Sequence, residues 1–282
     1  MFGGGDIKLF GGEPLLVPEV VRAVMEYAEK KEKISRVYLS TNGLGLDKEW
    51  LSFLRGYKKG VLTLSMDGIP ESHRRNRRAL KGVDIPDSYD HIVSLMPLLK
   101  KTPRVVVTQT IPPSTAHMGL ENFEHLRDLG FWRFNFLPGY YIPWKERQIQ
   151  ALNASFAEIS ESIRTAWTGQ ERLYIRNLFT WAPTPFFNSG LVVDADGAIH
   201  PTNMGLSGTL DHTLDQTKVG DLDHPPSKEA LEEGAKKVNR LLQSHLSEKV
   251  MESTRRVDQE LTLFCRSLYA PFAEYRKARK VV

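Results

Sequence analysis

The chain of 282 residues contains one cysteine, Cys265. One thiol forms no internal disulfide, and alone it builds neither a zinc–thiolate site nor an iron–sulfur site. Long apolar runs are also missing. No stretch approaches the roughly 20 residues of a membrane-spanning helix, so no membrane anchoring is expected. No basic segment followed by an apolar stretch opens the chain, so no secretory leader is expected, and a cytoplasmic location is the default. Low-complexity tracts are absent. Gly3-Gly4-Gly5 lacks the Lys-Ser/Thr that completes a phosphate loop. Asp194-x-Asp196-Gly197 starts like a calcium loop, but the remaining ligands do not follow. His200, His212 and His224 lack paired or helical spacing and read as scattered surface histidines, so no metal site is expected.

What is present is ordinary globular composition: 41% hydrophobic, 26% charged, and a net charge of +4. That suffices for a full core, and the mild basicity permits an anionic ligand without requiring one. Strand and helix patterns alternate through the first half. Strands are expected at DIKLF (6–10), RVYLS (36–40), VLTLS (61–65), RVVVTQT (104–110) and RFNFL (133–137). Between them, Pro18 opens a helix whose inner face is read as Val20, Val21, Val24, Tyr27 and Ala28. Asp47 caps a helix carrying Trp50, Leu51 and Leu54, Pro97 bends or ends another, and Gly130 stops a third. A long helix is expected over 145–168. Strands separated by single helices call for parallel pairing with right-handed crossovers. Residues 1–168 thus read as a partial barrel. Beyond it, RLYIRNLF is a candidate strand and GLVVDADGAIHP a hairpin, followed by a loop-like stretch and then helices from 227 onward.

Three polar stretches follow successive strands. GGEP (11–14) combines two glycines, which free the backbone for close approach, with a carboxylate suited to an ammonium; on spacing alone, a plain turn with Glu13 at a helix N-terminus is the stronger reading. STNG (40–43) fits an Asn-Gly turn. SMDGIPESHRRNRR (65–78) is either a solvated basic face or a phosphate-contacting patch. All three line the C-terminal rim of one sheet, where open α/β and barrel folds bind ligands.

Taken together, GGEP, TNG and S-x-DG-x-x-E-x-H resemble the radical SAM superfamily. The likeness is greatest to its peptide- and protein-modifying branch, which includes the anaerobic sulfatase-maturating enzymes. The resemblance implies a partial (β/α)6 TIM-type barrel lacking its first strand, with S-adenosylmethionine at the strand ends. By resemblance, Gly11, Gly12 and Glu13 meet the cofactor's amino group. Ser65 lies near its ribose and carboxylate, Arg77 pairs with the carboxylate, and Leu137 contacts adenine. Asn42 and Asp67 are read as structural parts of the rim. The family also carries a C-x3-C-x2-C motif for a [4Fe–4S] cluster ahead of GGE, and this sequence has no such motif. GLVVDADGAIHPTN and VGDL (219–222) resemble the SPASM extension of that branch without its cysteines, so residues 169–282 read as a degenerate α+β extension.

Two readings follow. The chain is the remainder of an enzyme that modifies a peptide or protein substrate, unable to perform radical chemistry by itself, with no catalytic acid or base assignable. Alternatively it is a cluster-free relative that binds a peptide, partner or nucleotide. A nucleic-acid-binding module built on residues 73–78 and the basic C-terminus is the weakest reading, because no aromatic residues interleave the basic run. The edge of the 6–10 strand is expected to favour self-association.

Overall fold

A computed structural model describes residues 4–78, 87–179, 191–203 and 214–280. The first half runs β1 (Gly5–Leu9), α1 (Pro18–Glu29), β2 (Ile34–Thr41), α2 (Lys48–Gly56), β3 (Gly60–Ser65), α3 (Pro70–Asn76), α4 (Ser88–Ser94) and α5 (Met96–Leu99). It continues with β4 (Val105–Ile111), α6 (Gly119–Asp128), β5 (Arg133–Pro138), α7 (Glu146–Thr168) and β6 (Tyr174–Ile175). Then come β7 (Val192–Val193), β8 (Ala198–His200), α8 (Leu214–Thr217), β9 (Gly220–Asp221), α9 (Lys228–His245) and α10 (Glu248–Lys280).

Strands β1 to β6 form one parallel sheet in sequential order. Sequential parallel order with a helical connection at each step is the progression of a (β/α) barrel, so the α/β expectation holds. The candidate strand at RLYIRNLF is reduced to the two residues of β6, and a 3-10 turn follows at Arg176–Phe179. β6 pairs with β5, so the sheet continues past residue 168.

The chain divides into two compact units. The sheet unit comprises Phe2–Gly139, Lys145–Phe179 and Gln259–Val282; the other comprises Tyr140–Trp144 and Thr180–Asp258. One face of the large sheet carries the core. Leu39, Leu62, Leu64, Val107, Phe134 and Phe136 are all nearly inaccessible. Phe123 of α6 meets Phe134 edge-on at 4.8 Å, and Phe136 packs against Phe156 of α7 and Phe264 of α10. Each such side chain contributes about 1.5–3 kcal/mol by leaving water. In α1 the buried stripe is Val21, Met25 and Ala28, while Val20 and Tyr27 are exposed. The stripe is therefore rotated by about one residue from the expected one; Met25 completes the i, i+4, i+7 row that a helix presents to a sheet.

Helix boundaries follow local chemistry. Asp47 accepts from the Trp50 amide at 2.7 Å and caps α2. Pro97 falls in the first turn of α5, so the chain breaks at Leu95, between α4 and α5. Cys265 is buried, with 8% of its surface exposed.

In the second unit the hairpin forms as expected from β7 and β8, and β9 adds a third antiparallel strand from the VGDL stretch. That stretch lies in a region read as loop; two residues of pairing leave too short an alternation to read from sequence. His200 is not a surface residue. It is buried, and its Nδ1 lies 2.9 Å from Thr217 Oγ1. His224 is exposed, and His212 lies outside the described residues. Among the described residues no group of His, Cys, Asp and Glu is arranged to hold a metal ion. No described helix is long and apolar enough to cross a membrane.

Candidate cofactor-binding rim

Register fixes which strand residues share a face. Ser40 stands opposite Thr63, Ser65 opposite Thr108, Thr108 opposite Asn135, and Thr110 opposite Leu137. These alternate with the core residues and therefore lie on the face away from the helices. Ser65, Thr108 and Asn135 make one polar row, with Asn135 Nδ2 donating to Thr108 Oγ1 at 3.4 Å. Asp67, Thr110 and Leu137 make the next row toward the strand C-terminal ends. The sequence reading found Ser65 and Leu137 but missed Thr108, Thr110 and Asn135. The period of two in VVVTQT carried the signal for both threonines.

The Asp67 carboxylate is 1% exposed and anchors the upper row. Its Oδ1 accepts from Arg77 Nη2 and from the Thr110 amide, both at 2.9 Å. Arg77 Nη2 also donates to Thr110 Oγ1 at 3.3 Å. The arginine thus spends one nitrogen inward, and its side chain remains a quarter exposed. Gly68 makes the bend after Asp67 at φ 136°, and a Cβ there would overlap the Asn122 side chain. Asn122 Oδ1 in turn accepts from the Ile69 amide at 3.1 Å.

His73 is fully buried behind this turn. Its Nδ1 accepts from the Asp67 amide at 3.4 Å, which leaves Nε2–H to donate to Ser88 Oγ at 2.8 Å. Burial pushes its pKa down to about 4; the charges of Asp67 and Arg77 act in opposite directions on it. The basic run is therefore not a free cationic face. Arg74 pairs with Asp87 and Asp90, Arg75 with Glu71, and Arg77 with Asp67. Arg74, Arg75 and Arg78 are exposed, so the solvated-face reading holds for most of the run, and of its arginines Arg77 alone turns inward.

Gly11 and Gly12 follow β1, and a Cβ at either would meet nothing within 4 Å. Packing does not require glycine there, so the space in front of this backbone is open to a ligand. Glu13 is turned into the protein. Its Oε1 accepts from the Leu15 amide at 3.1 Å and from Thr41 Oγ1 at 2.7 Å, and its Oε2 accepts from the Asn42 amide at 2.7 Å. Glu13 caps the short 3-10 turn Pro14–Leu16 and ties the end of β1 to the end of β2. Asn42 is structural as expected, its Oδ1 accepting from the Leu44 amide at 2.9 Å. All six residues singled out for the cofactor thus stand at the C-terminal ends of β1, β3 and β5 or on the α3 C-cap.

Residues 1–92 match the radical SAM superfamily. A 78-residue stretch is 40% identical to the cysteine-type anaerobic sulfatase-maturating enzyme of Clostridium perfringens (strain 13 / Type A). The match covers 26% of this chain and 21% of that enzyme. Among solved structures, native anSMEcpe with bound AdoMet and Cp18Cys peptide superposes with a TM-score of 0.68 at 20% identity, covering 99% of this chain and 85% of that one. Native anSMEcpe with bound AdoMet gives 0.65 at 21% identity, over 82% of this chain and 67% of that one. At such identity the structures establish a shared fold and nothing beyond it.

Proposed function

We propose that this chain supplies the AdoMet-binding and substrate-binding parts of a radical SAM system that modifies a peptide or protein. The observation that supports the reading is the rim. Open backbone at Gly11 and Gly12, the Ser65 hydroxyl and the partly exposed Arg77 share one edge of the sheet. These groups suit AdoMet. An exposed guanidinium edge takes a carboxylate in fork geometry, and bare backbone accepts an ammonium closely. Leu137 adds an apolar surface beside Thr110 for the adenine ring. When bound, AdoMet supplies an activated sulfonium; the chain's own groups bind and orient its amino-acid end. Glu13 contributes by holding the GGEP turn in place.

The residues present do not fit a [4Fe–4S] cluster. Such a cluster needs several thiolates, and these 282 residues offer only the buried Cys265. No step through a cluster is derived from them. The same observation favours the second reading, a cluster-free relative that binds peptide or nucleotide. In both readings a SPASM-like extension without metal is proposed for the part of residues 169–282 that lies outside the sheet unit.

Isothermal titration of the full chain with AdoMet tests the cofactor reading. Binding is expected, and Arg77→Ala weakens it by about 10- to 100-fold, the loss of one charge-assisted contact. No heat of binding, or equal affinity in Arg77→Ala, overturns the assignment. Anaerobic incubation with iron and sulfide is expected to leave the chain without stoichiometric cluster absorbance. A full cluster spectrum would show that the thiol count is not limiting.

A further inference from the structure

Below the rim, the face away from the helices becomes cationic. Lys8 of β1 stands opposite Tyr38 of β2, and Ser40 opposite Thr63 of β3. Arg176, just after β6, lays its guanidinium over the Tyr38 ring at 4.5 Å from the centroid. Its Nη1 donates to Thr63 Oγ1 at 3.5 Å. Arg133 of β5 stands opposite Tyr174 of β6, its guanidinium carbon 5.7 Å from that ring's centroid, and its buried Nε has no hydrogen-bond partner. Lys8, Arg176, Tyr38, Tyr174 and Arg133 therefore gather around one patch.

Two acids border this face. Asp67 is paired with Arg77, and Asp6, two residues before Lys8 on the same strand, offsets part of the Lys8 charge environment. Lys8 is exposed as a residue, yet the crowding around its amine and the neighbouring Arg176 hold its pKa below the usual lysine range, with Asp6 opposing. Two cations side by side repel each other, and an anion placed between them removes that cost. The patch is not the AdoMet carboxylate site. Lys8 precedes Gly11 by three residues and Thr63 precedes Ser65 by two, so it lies roughly 7–10 Å below the rim at about 3.3 Å per residue.

We propose that Lys8 and Arg176 form a subsite for a carboxylate of the peptide substrate, so that this face selects peptides bearing an aspartate, a glutamate or a free C-terminus. The proposal rests on the peptide-modifying reading above and names the substrate chemistry of that system. Tyr38 and Tyr174 supply aromatic walls for the aliphatic part of the same residue, and Thr63 helps hold Arg176 in place.

The test uses the full chain, saturating AdoMet and three fluorescein-labelled hexapeptides read by fluorescence anisotropy. One carries a central Asp and an amidated C-terminus, the second Asn in its place, and the third Asn with a free C-terminus. The Asp peptide is expected to bind about tenfold more tightly than the Asn amide, as one charge-assisted contact allows. The third peptide distinguishes a side-chain carboxylate from a terminal one. Lys8→Gln and Arg176→Gln erase the discrimination, Lys8→Arg restores it, and AdoMet affinity is unchanged in all three variants. Equal binding of Asp and Asn peptides overturns the subsite. If no peptide binds, N-acetylglutamate is titrated. A Lys8-dependent signal then keeps the carboxylate subsite while the peptide reading falls, and its absence overturns the subsite as well.

Discussion

Glu13 offers the sharpest separation between a structural and a ligand-binding role at the rim. Glu13→Ala removes the acceptor for the Leu15 amide, the Thr41 hydroxyl and the Asn42 amide. A hydrogen bond to a charged acceptor contributes about 1.5–3 kcal/mol when buried, and half-burial of Glu13 moves each toward or below the lower end. The sum expected is about 2–3 kcal/mol. At roughly 2–4 °C per kcal/mol for a domain of this size, the melting temperature falls by about 5–10 °C. The partner variant is Thr41→Val, which removes only the shared hydroxyl. In a double-mutant cycle by urea unfolding, Glu13→Ala and Thr41→Val should couple by about 1 kcal/mol. AdoMet titration supplies the second readout. If Glu13 acts by holding the GGEP turn, Thr41→Val also weakens AdoMet binding, although Thr41 is buried and points to the helix side of the sheet. A cycle without coupling, combined with AdoMet affinity lost only in the Glu13 variants, refutes the latch and assigns Glu13 to the cofactor's ammonium.

Two further perturbations probe the turn that carries Asp67 and Arg77. His73 has its folded pKa depressed to about 4, so the unfolded chain binds the extra proton first. Its contribution is complete above the ordinary histidine pKa and is lost as pH falls from about 6.5 to 4, approaching roughly 3 kcal/mol. The difference in urea stability between the parent chain and His73→Gln should therefore shrink by that amount between pH 7 and pH 4; a constant difference contradicts a buried neutral imidazole. Gly68→Ala forces a Cβ toward Asn122 at positive φ and is expected to cost about 2–4 kcal/mol by thermal or urea unfolding, whereas a neutral effect would mean the turn can rearrange.

The sheet was legible because five of its strands are bounded by capping and turn residues whose chemistry is local. Asp47, Pro18, Pro97 and Gly130 each act within a turn of their own position. The rim residues were legible through resemblance, and their location at the strand ends followed from the alternation. What the sequence hid was pairing across distance. Nothing local indicates that Glu13 faces Thr41 or that Arg77 faces Asp67 and Thr110. The partners of the exposed Arg74 were hidden for the same reason, since Asp87 and Asp90 lie at the start of the next helix. β6 and β9 were obscure because two residues of strand leave no period to detect. Lys8 and Arg176 lie at opposite ends of the sheet unit's strand order, and only their shared effect on one patch reveals the pair.

The two rows of this face differ in how their charges are compensated, and that difference orders their roles. At the rim, one oxygen of the buried Asp67 already accepts from Arg77 and from the Thr110 amide, so the guanidinium is held in one orientation before any ligand arrives. An orientation fixed in advance costs little when a ligand's carboxylate docks on the exposed edge. Deeper on the face, Lys8 and Arg176 repel each other beside the Tyr38 ring, so their arrangement gains most when an anion enters. A rim that keeps its shape and a lower patch relieved by negative charge fit a cofactor bound first and a substrate carboxylate bound second. The order is measurable: AdoMet affinity should be indifferent to Lys8→Gln, while acidic-peptide affinity should rise when AdoMet is present. Acidic-peptide affinity independent of AdoMet would separate the two sites and break the proposed order.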